Sequence, residues 1–508
     1  MKVLFTGLYP MWHYHYVAEL NYLQECLNQG DEVTLLHCDA DQSCCEANQN
    51  KNLAHCLRCM GIYQHGYQLL DGKVDQKTLI HQNYRDASPE WLHAALQDIE
   101  SLKSIKIDDF DLGYAVYSSL VDRTKEKSPD LGLYRDVTQR LILDAYRIHL
   151  SAKHYLSAET YDRVYVFNGR YAGARPWIRA CEAAKVPFYT HERTTSLCHG
   201  IRFENTLPHY PDPYPSMVQA TWVKFRDDPE AIEEGHHFYQ ERPGGVITGW
   251  NESFVKDQKQ GKLPGDWNPD LKNIVFFTSS DSEFWGIQDM WSGSQGIEQK
   301  EAVLKLATET AVLRKDIHFY LRVHPNSRSE VNRWWESPEI LALENLTLIQ
   351  PESDISSYDL LWNVAACVTY FSTIGIEATY WGKPSMILQK ANYWGIDAVY
   401  EPKDLDAAVR LLCSDLQPKP QINAVKYGVN IRRGGDRLPY SKPVNNYTIT
   451  FKGAILEARQ EVHEWLGETE KRKEVTGWRK WLQDRKDKMR FDQIIKEYDG
   501  NLAAISVK

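Results

Sequence analysis

The segment from Ala366 to Pro384 constrains the fold of this chain more than any other. It opens with a short apolar run rich in β-branched and aromatic residues, which is typical of a buried parallel strand. Ser372 and Thr373 follow, and these residue types favour the start of a helix. Gly382 and Pro384 then end that helix before the next apolar run. The pattern therefore predicts the strand–turn–helix unit of a parallel α/β sheet.

The turn inside this segment is a candidate anion-binding site. Gly375 would let the backbone approach a ligand closely, and a phosphate at the turn would meet the positive end of the helix dipole. Glu377, one helical turn further on, could accept hydrogen bonds from ribose hydroxyls. An ordinary, well-capped βα unit explains the same pattern, because caps of this kind are common.

Two more strand ends in the same half of the chain carry polar residues. The apolar runs predict parallel strands at residues 274–277, 317–323, 346–349, 366–371 and 385–388. Ser279 and Ser280 follow the first run, and His324 and Pro325 follow the second. Since ligands bind outside the carboxyl ends of such strands, these turns together predict a nucleotide phosphate site.

The N-terminal half also begins with an α/β pattern. Residues 2–6 and 32–37 predict strands around a helix over residues 12–29, which is the opening of a Rossmann-like domain. The loop after the first strand lacks G-x-G-x-x-G, which disfavours a dinucleotide site. His15 and Glu19 follow this strand and could face a cleft; surface positions at a helix start are the alternative.

Two later strands of this half, at residues 163–167 and 186–189, also end in polar residues. These residues are Arg170, His191, Glu192 and Arg193. They would lie at the edge of the sheet where ligands bind. A buried Glu–Arg pair that holds the loops together is the alternative interpretation.

Five of the ten cysteines lie between residues 38 and 59. Cys56 and Cys59 have the spacing of a metal knuckle, and Cys38 with Cys45, or with Cys44, would complete a tetrahedral thiolate site. We therefore expect a structural zinc ion at Cys38, Cys45, Cys56 and Cys59. An all-thiolate site leaves no open position, which argues against a catalytic metal.

The composition of the 508 residues is that of a globular protein, with 43% hydrophobic and 25% charged residues. A net charge of -10 disfavours bulk binding of nucleic acid. No apolar run reaches the length of a membrane span, and residues 1–6 resemble a strand rather than a signal peptide. We therefore expect a cytoplasmic protein.

The chain beyond residue 440 is helical and charged. Residues 471–490 hold nine Lys or Arg against three Asp or Glu, with two tryptophans among them. Such a segment could lie on an anionic membrane surface, at the inner face of the membrane; a solvated helix face is the alternative. The predicted divisions are a domain at 1–255 with a Cys-rich insert at 38–60, a domain at 256–440, and a helical tail at 441–508.

These motifs resemble those of a known family. His324-Pro325, the Ser372-Thr373-x-Gly375-x-Glu377-Ala378 segment and Gly382-Lys383-Pro384 resemble bacterial capsule and polysaccharide glycosyltransferases of the GT-B fold, including the Kdo transferases of capsule assembly. The turn at 168–170 and residues 191–193 are similar to acceptor-side motifs of related chains. Similar Ser-x-x-Gly-x-Glu-Ala segments occur in UDP-sugar 2-epimerases and polyol-phosphate transferases.

The resemblance implies two Rossmann-like domains that face a cleft, the N-terminal one for the acceptor and the C-terminal one for the donor. It implies transfer of a sugar from a nucleotide donor, such as CMP-Kdo or another CMP-, UDP- or GDP-sugar, onto a surface polysaccharide or glycolipid. Ser372, Thr373 and His324 would stabilise the leaving phosphate, so that catalysis needs no metal. Glu192 would be the general base, positioned by Arg170 or Arg193. A UDP-sugar epimerase and a non-catalytic nucleotide-sugar binding protein remain open alternatives.

Overall fold

The structure is a computed structural model. It describes residues 1–93, 97–245, 255, 257–280, 285–287, 298–329, 332–445, 448–472 and 477–497. The chain forms two compact units. The first combines residues 1–208 with residues 436–508, and the second comprises residues 209–435.

The first unit is built on a seven-stranded sheet of order β12-β6-β5-β4-β1-β2-β3. Strands β1 to β5 pair in parallel, whereas β6 and β12 are antiparallel to their neighbours. The strands are β1 (Lys2–Phe5), β2 (Glu32–His37), β3 (Val74–Thr78), β4 (Arg163–Phe167), β5 (Phe188–Arg193), β6 (His199–Glu204) and β12 (Asp436–Arg437).

Helices cover this sheet. They are α1 (His13–Asn28), α2 (Leu53–Gln68), α3 (Ile99–Lys103), α4 (Leu112–Thr124), α5 (Arg135–Ala158) and α6 (Arg175–Ala184). Helix α1 buries Tyr16, Leu20 and Leu23 against Phe5 of β1 and Leu35 of β2. This packing places the loop between β1 and α1 at the carboxyl edge of the sheet.

The second unit contains a five-stranded, fully parallel sheet of order β11-β10-β7-β8-β9. Its strands are β7 (Lys272–Phe277), β8 (Ile317–Arg322), β9 (Leu346–Ile349), β10 (Ala366–Thr369) and β11 (Ser385–Ile387). All five coincide with apolar runs; β7 and β10 are buried almost throughout, as expected for central parallel strands, whereas the edge strand β9 is only partly buried. The predicted α/β class is confirmed, with a mainly parallel sheet in the first unit and a fully parallel sheet in the second.

The helices of the second unit are α7 (Tyr214–Phe225), α8 (Pro229–Gln240), α9 (Gln299–Leu313), α10 (Pro338–Leu341), α11 (Ser357–Asn363), α12 (Ile374–Tyr380), α13 (Leu405–Cys413) and α14 (Gln421–Arg433). Helices α7 and α8 share an apolar cluster with α14, which includes Val218, Phe238, Val425 and Val429. For this reason the compact units divide at residues 208/209, whereas the predicted domains divide at 255/256. Residues 246–254 and 256, at the predicted domain boundary, lie outside the described residues.

The residues after 440 belong to the first unit. They begin with a two-stranded antiparallel ladder, β13 (Ser441–Pro443) and β14 (Ile449–Phe451), and continue in α15 (Gln460–Glu470) and α16 (Gly477–Glu497). Ile449 and Phe451 join the core around α1. Of the helices that the structure describes, none combines the length and apolar character needed to cross a membrane.

Trp465 ties the C-terminal helices to the first unit. Its side chain is fully buried in a cluster with Leu57 of α2 and Phe491 of α16. We expect Trp465→Ala to destabilise this unit by about 3–5 kcal/mol, through lost burial and the cavity left behind. Urea unfolding followed by circular dichroism would show a lower midpoint. Trp481→Ala is the matched control, because Trp481 is 59% exposed; equal midpoints for the two variants would contradict the packing.

Candidate functional site

The carboxyl ends of β7, β8 and β10 converge on one pocket in the second unit. The pocket has a volume of about 210 Å³. Its lining residues are Ser279, Ser280, His324, Phe371, Ser372, Thr373, Ala391, Asn392, Tyr393 and Tyr427. The structure thus brings together the three polar turns that the sequence predicted for a phosphate site, in a space bordered by hydroxyl groups and one imidazole.

Two buried hydroxyl groups in this pocket have no hydrogen-bond partner in the part of the chain that the structure describes. Ser279 and Ser280 are 5% and 6% exposed, and neither Oγ has a hydrogen-bond partner among the described residues. The backbone of Ser279 is instead fixed by the side chain of Gln299, which accepts from its N–H and donates to its carbonyl. Because a buried hydroxyl without a partner is costly, these groups are suited to bind a polar ligand.

His324 enters the pocket as a neutral imidazole. Burial, reinforced by Arg322, lowers the pKa of His324 to about 4. Its Nδ1 accepts a hydrogen bond from the backbone N–H of Asn326, 3.2 Å away. The proton of the neutral ring therefore lies on Nε2, which makes this nitrogen a hydrogen-bond donor. Pro325, predicted beside it, opens a short 3-10 helix at 325–329.

Ser372 and Thr373 form the third wall, where β10 leads into α12. The hydroxyl of Tyr393 donates to the carbonyl of Ser372 at 2.6 Å and fixes the turn. A Cβ atom on Gly375 would lie 2.6 Å from that hydroxyl. A larger residue at position 375 would therefore clash with Tyr393. This packing explains Gly375, whereas the sequence predicted that a ligand approaches the backbone here.

Glu377 is not positioned to bind ribose, which corrects the role predicted from the sequence. The residue is 1% exposed and does not line the pocket. One carboxylate oxygen accepts from Arg242 Nε at 2.9 Å, and the other accepts from the hydroxyl of Tyr358 at 2.5 Å. Glu377 therefore forms a buried ion pair beneath the pocket.

Arg242 is the residue of this site that sequence reasoning missed. Its Nη2 also donates to Thr373 Oγ1 at 3.4 Å, so the guanidinium connects Glu377 with the pocket wall. Burial opposes its charge, but the neighbouring Glu377 carboxylate raises the pKa of Arg242. No local sequence signal distinguishes Arg242, because its partner Glu377 lies 135 residues away in the chain.

A second cluster lies in the first unit, around Glu192. His15 Nδ1 is 2.9 Å from one carboxylate oxygen of Glu192, and Asn168 Nδ2 donates to the other at 2.9 Å. The backbone N–H of Arg193 also donates to Glu192, at 3.2 Å. The side chains of His15 and Glu192 remain 15% and 24% exposed. This imidazole–carboxylate pair has the composition of a general base with its orienting group.

The local backbone explains how this pair is held. Asn168 and Gly169 have φ values of 60° and 89°, a left-handed turn that these two residue types tolerate. The turn directs the Asn168 amide to Glu192. The ring of Phe167 lies 4.3 Å from that of His15 between centroids, so packing restricts the imidazole as well.

Arg170 binds Tyr171 and Asp122, and the charge of Glu192 also acts on it, so its predicted positioning role towards Glu192 stays a prediction. Its Nη2 donates to the hydroxyl of Tyr171 at 2.7 Å and lies 3.4 Å from Asp122. Although burial opposes the charge, these neighbours raise the pKa of Arg170. Burial lowers the pKa of Arg193 to about 9. The side chain of Asn168 and the backbone N–H of Arg193 donate hydrogen bonds to Glu192.

Glu19 and His191 are core residues, which corrects their predicted place on the acceptor side. They are 1% and 0% exposed. Strand β5 continues to Arg193 because it pairs with β6, and His191 lies in a part of this strand that is buried on both faces. Burial raises the pKa of Glu19 to about 8 and lowers the pKa of His191 to about 3. Glu19 Oε1 accepts the backbone N–H of Gly7 at 3.0 Å.

The four cysteines of the zinc prediction line one small cavity in the first unit. Its volume is about 50 Å³, and Cys38, Cys45, Cys56 and Cys59 all border it. Burial raises the pKa of each thiol. The donor set suits zinc, but among the described residues no group of three or more His, Cys, Asp or Glu is placed to hold a metal ion. The zinc site stays a prediction.

No protein-family model and no curated protein sequence matches this chain. Solved structures match at low similarity. The β-Kdo 2,4-transferase KpsC of Thermosulfurimonas dismutans is 13% identical, over 55% of this chain and 85% of that chain, with a TM-score of 0.34.

Two further structures are similar to most of this chain. Spinosyn rhamnosyltransferase SpnG is 11% identical, over 85% of this chain and 96% of its own, with a TM-score of 0.27. The UDP-GlcNAc 2-epimerase of Neisseria meningitidis bound to UDP-GlcNAc is 13% identical, over 85% and 99%, with a TM-score of 0.21. TM-scores this low carry no argument about activity, which must come from the chain's own side chains.

The buried pair of Arg242 and Glu377 generates a stability prediction. Glu377→Ala would leave the guanidinium buried without its carboxylate and should destabilise the second unit by about 3–5 kcal/mol. Urea unfolding would show the lower midpoint. Glu309→Ala is the control, since Glu309 is 46% exposed in its ion pair with Lys305. Unchanged stability combined with weaker nucleotide binding would instead support the ribose role.

Glu19 generates a pH prediction. Its pKa in the folded state, about 8, is above the ordinary 4.5. The folded chain therefore binds the proton more tightly, and this stabilisation is lost as the pH rises from 4.5 through 8. The depressed pKa of His191 acts in the opposite direction only below 6.5. Between pH 6.5 and 8 the free energy of unfolding of the wild type should fall by up to about 2 kcal/mol, whereas that of Glu19→Gln should not show this fall. Urea titrations at each pH measure both. If the stability of the wild type and of Glu19→Gln changed with pH in the same way, the raised pKa of Glu19 would be contradicted.

Proposed function

We propose that this protein is a glycosyltransferase of the GT-B type, which moves a sugar from a nucleotide-activated donor to a hydroxyl of a glycan or glycolipid acceptor. The observation that carries the proposal is the pocket of the second unit, where three strand ends supply Ser279, Ser280, His324, Ser372 and Thr373. Pockets at the carboxyl ends of parallel strands commonly bind nucleotides, and hydroxyl and imidazole donors suit phosphate oxygens.

The donor's phosphate would be held by groups that donate hydrogen bonds. The hydroxyls of Ser279 and Ser280 have no partner among the described residues, and His324 carries its proton on Nε2. When the bond between the anomeric carbon and the phosphate oxygen breaks, negative charge builds up on that oxygen. Donors fixed in place before the reaction stabilise this charge without reorganisation. Arg242, behind Thr373, adds a positive charge to the same wall.

The acceptor would be activated by His15. Both carboxylate oxygens of Glu192 already accept hydrogen bonds, one from the backbone N–H of Arg193 and the other from Asn168, and His15 Nδ1 lies 2.9 Å from the first. We therefore assign the base to His15, and a positioning role to Glu192, in place of Glu192 as the base. The acceptor hydroxyl loses its proton to the imidazole as its oxygen bonds to the anomeric carbon. The Glu192 carboxylate stabilises the imidazolium that results.

The proposal extends to the classes of donor and acceptor. CMP-, UDP- and GDP-sugars, CMP-Kdo among them, are the candidate donors, and a surface polysaccharide or glycolipid is the candidate acceptor. Because protein groups donate to the phosphate, we propose that turnover needs no divalent cation. Activity should then persist in EDTA, and loss of activity that Mg²⁺ or Mn²⁺ restores would contradict this part.

Nucleotide binding and turnover test the site. Thermal-shift screening with CMP, CDP, UDP and GDP should identify a stabilising nucleotide, since ligand binding to the folded state raises stability. With the matching donor, His324→Ala should lower kcat by about 10²–10³-fold because it removes a donor to the leaving phosphate. His15→Ala should lower kcat by about 10²–10⁴-fold while leaving nucleotide binding intact.

His237→Ala serves as the control, since His237 is 47% exposed on α8. Full activity of His324→Ala would refute the phosphate assignment. Turnover of a UDP-sugar without any acceptor would make the protein an epimerase. Nucleotide binding without turnover, over a panel of glycan and glycolipid acceptors, would make it a binding protein.

A further inference from the structure

Helix α16 has two different faces, and the residues that the structure describes cover only one of them. Phe491 and Ile494 are each 8% exposed and pack with α2 and α15. On the other side, Trp481 is 59% exposed, Leu482 37% and Met489 64%. We call the side that bears Trp481, Leu482, Arg485, Lys486 and Met489 the outer face of α16.

The outer face is a continuous strip along the helix. Trp481, Arg485 and Met489 are spaced four residues apart, so their side chains follow one another on the same side. The guanidinium of Arg485 lies 5.5 Å from the centroid of the Trp481 ring. Arg485 and Lys486 are both exposed. Apolar and cationic groups therefore alternate on a surface that no described residue covers.

The charge of this strip is locally positive. Two of the nearby carboxylates are already neutralised: Asp487 by Arg472 and Asp492 by Lys488, each at 2.7 Å. Arg485 and Lys486, by contrast, form no ion pair with any residue in the described ranges. The strip stands out from the chain as a whole, whose net charge is -10.

We infer that the outer face of α16 docks on an anionic membrane surface, with the helix lying in the plane of the lipid headgroups. Lysine and arginine attract anionic lipids, and Trp481, Leu482 and Met489 can enter the boundary between headgroups and acyl chains. A nucleic acid would satisfy the charges but would leave the apolar side chains in water. The helix has 21 residues, a length of roughly 30 Å available for this contact.

Vesicle flotation of the full-length protein tests the inference. The protein should float with phosphatidylcholine vesicles that contain about 30% phosphatidylserine, and stay behind with phosphatidylcholine alone. Arg485→Glu/Lys486→Glu should lower the affinity at least about tenfold, and salt near 0.5 M should weaken the wild type similarly, because screening removes the attraction (about 4 Å Debye length). Trp481→Ala/Met489→Ala should also lower it, through lost insertion.

Leu313→Ala/Lys315→Glu is the matched control, an exposed apolar and basic pair at the end of α9. It should float like the wild type. Absence of flotation, or equal flotation with both kinds of vesicle, would overturn the inference. So would unchanged binding of Trp481→Ala/Met489→Ala together with displacement by single-stranded RNA, which would make the outer face a polyanion-binding surface.

Discussion

Parallel pairing is the constraint on which the candidate donor pocket depends. Because β7, β8 and β10 run in the same direction, the residues that follow them must emerge at one edge of the sheet. Residues as distant in sequence as Ser279 and Thr373 thereby meet in one pocket. The chemistry of that edge then depends on what lies beneath it, where Arg242 and Glu377 form a buried pair.

In the first unit, the degree of burial decides whether a glutamate or histidine is a core residue or a candidate catalytic residue. Glu19 and His191 are enclosed in the first unit, and desolvation favours the neutral form of each. Glu192 adjoins His191 in sequence, yet it keeps partial exposure and pairs with His15. Their places along β5 account for the difference, because the neighbours Thr190 and His191 are both buried, whereas Glu192 and Arg193 lie at the more open end of the strand. One strand thus supplies both a structural residue and a candidate catalytic pair.

Features that depend on neighbouring residues could be predicted from this sequence, whereas contacts between residues far apart in the chain could not. The five strands of the second sheet and the turns after them were predicted, because apolar runs and caps are local patterns. The ion pair of Arg242 with Glu377 and the contact of His15 with Glu192 join residues far apart in the chain, which a single sequence does not encode visibly. The extension of β5 to Arg193 and the burial of Glu19 likewise depend on pairing and packing with distant segments.

The first unit is assembled from two separate stretches of chain, 1–208 and 436–508. Its edge strand β12 and the apolar side chains of Leu438, Ile449 and Phe451 come from the later stretch. During synthesis on the ribosome, residues 1–208 therefore emerge long before the segments that complete their core. The second unit is one continuous stretch, so all its residues emerge before residues 436–508 complete the first unit. Between these two moments, β6 has an unpaired edge and α1 an exposed apolar side, which are surfaces that chaperones bind and that promote aggregation.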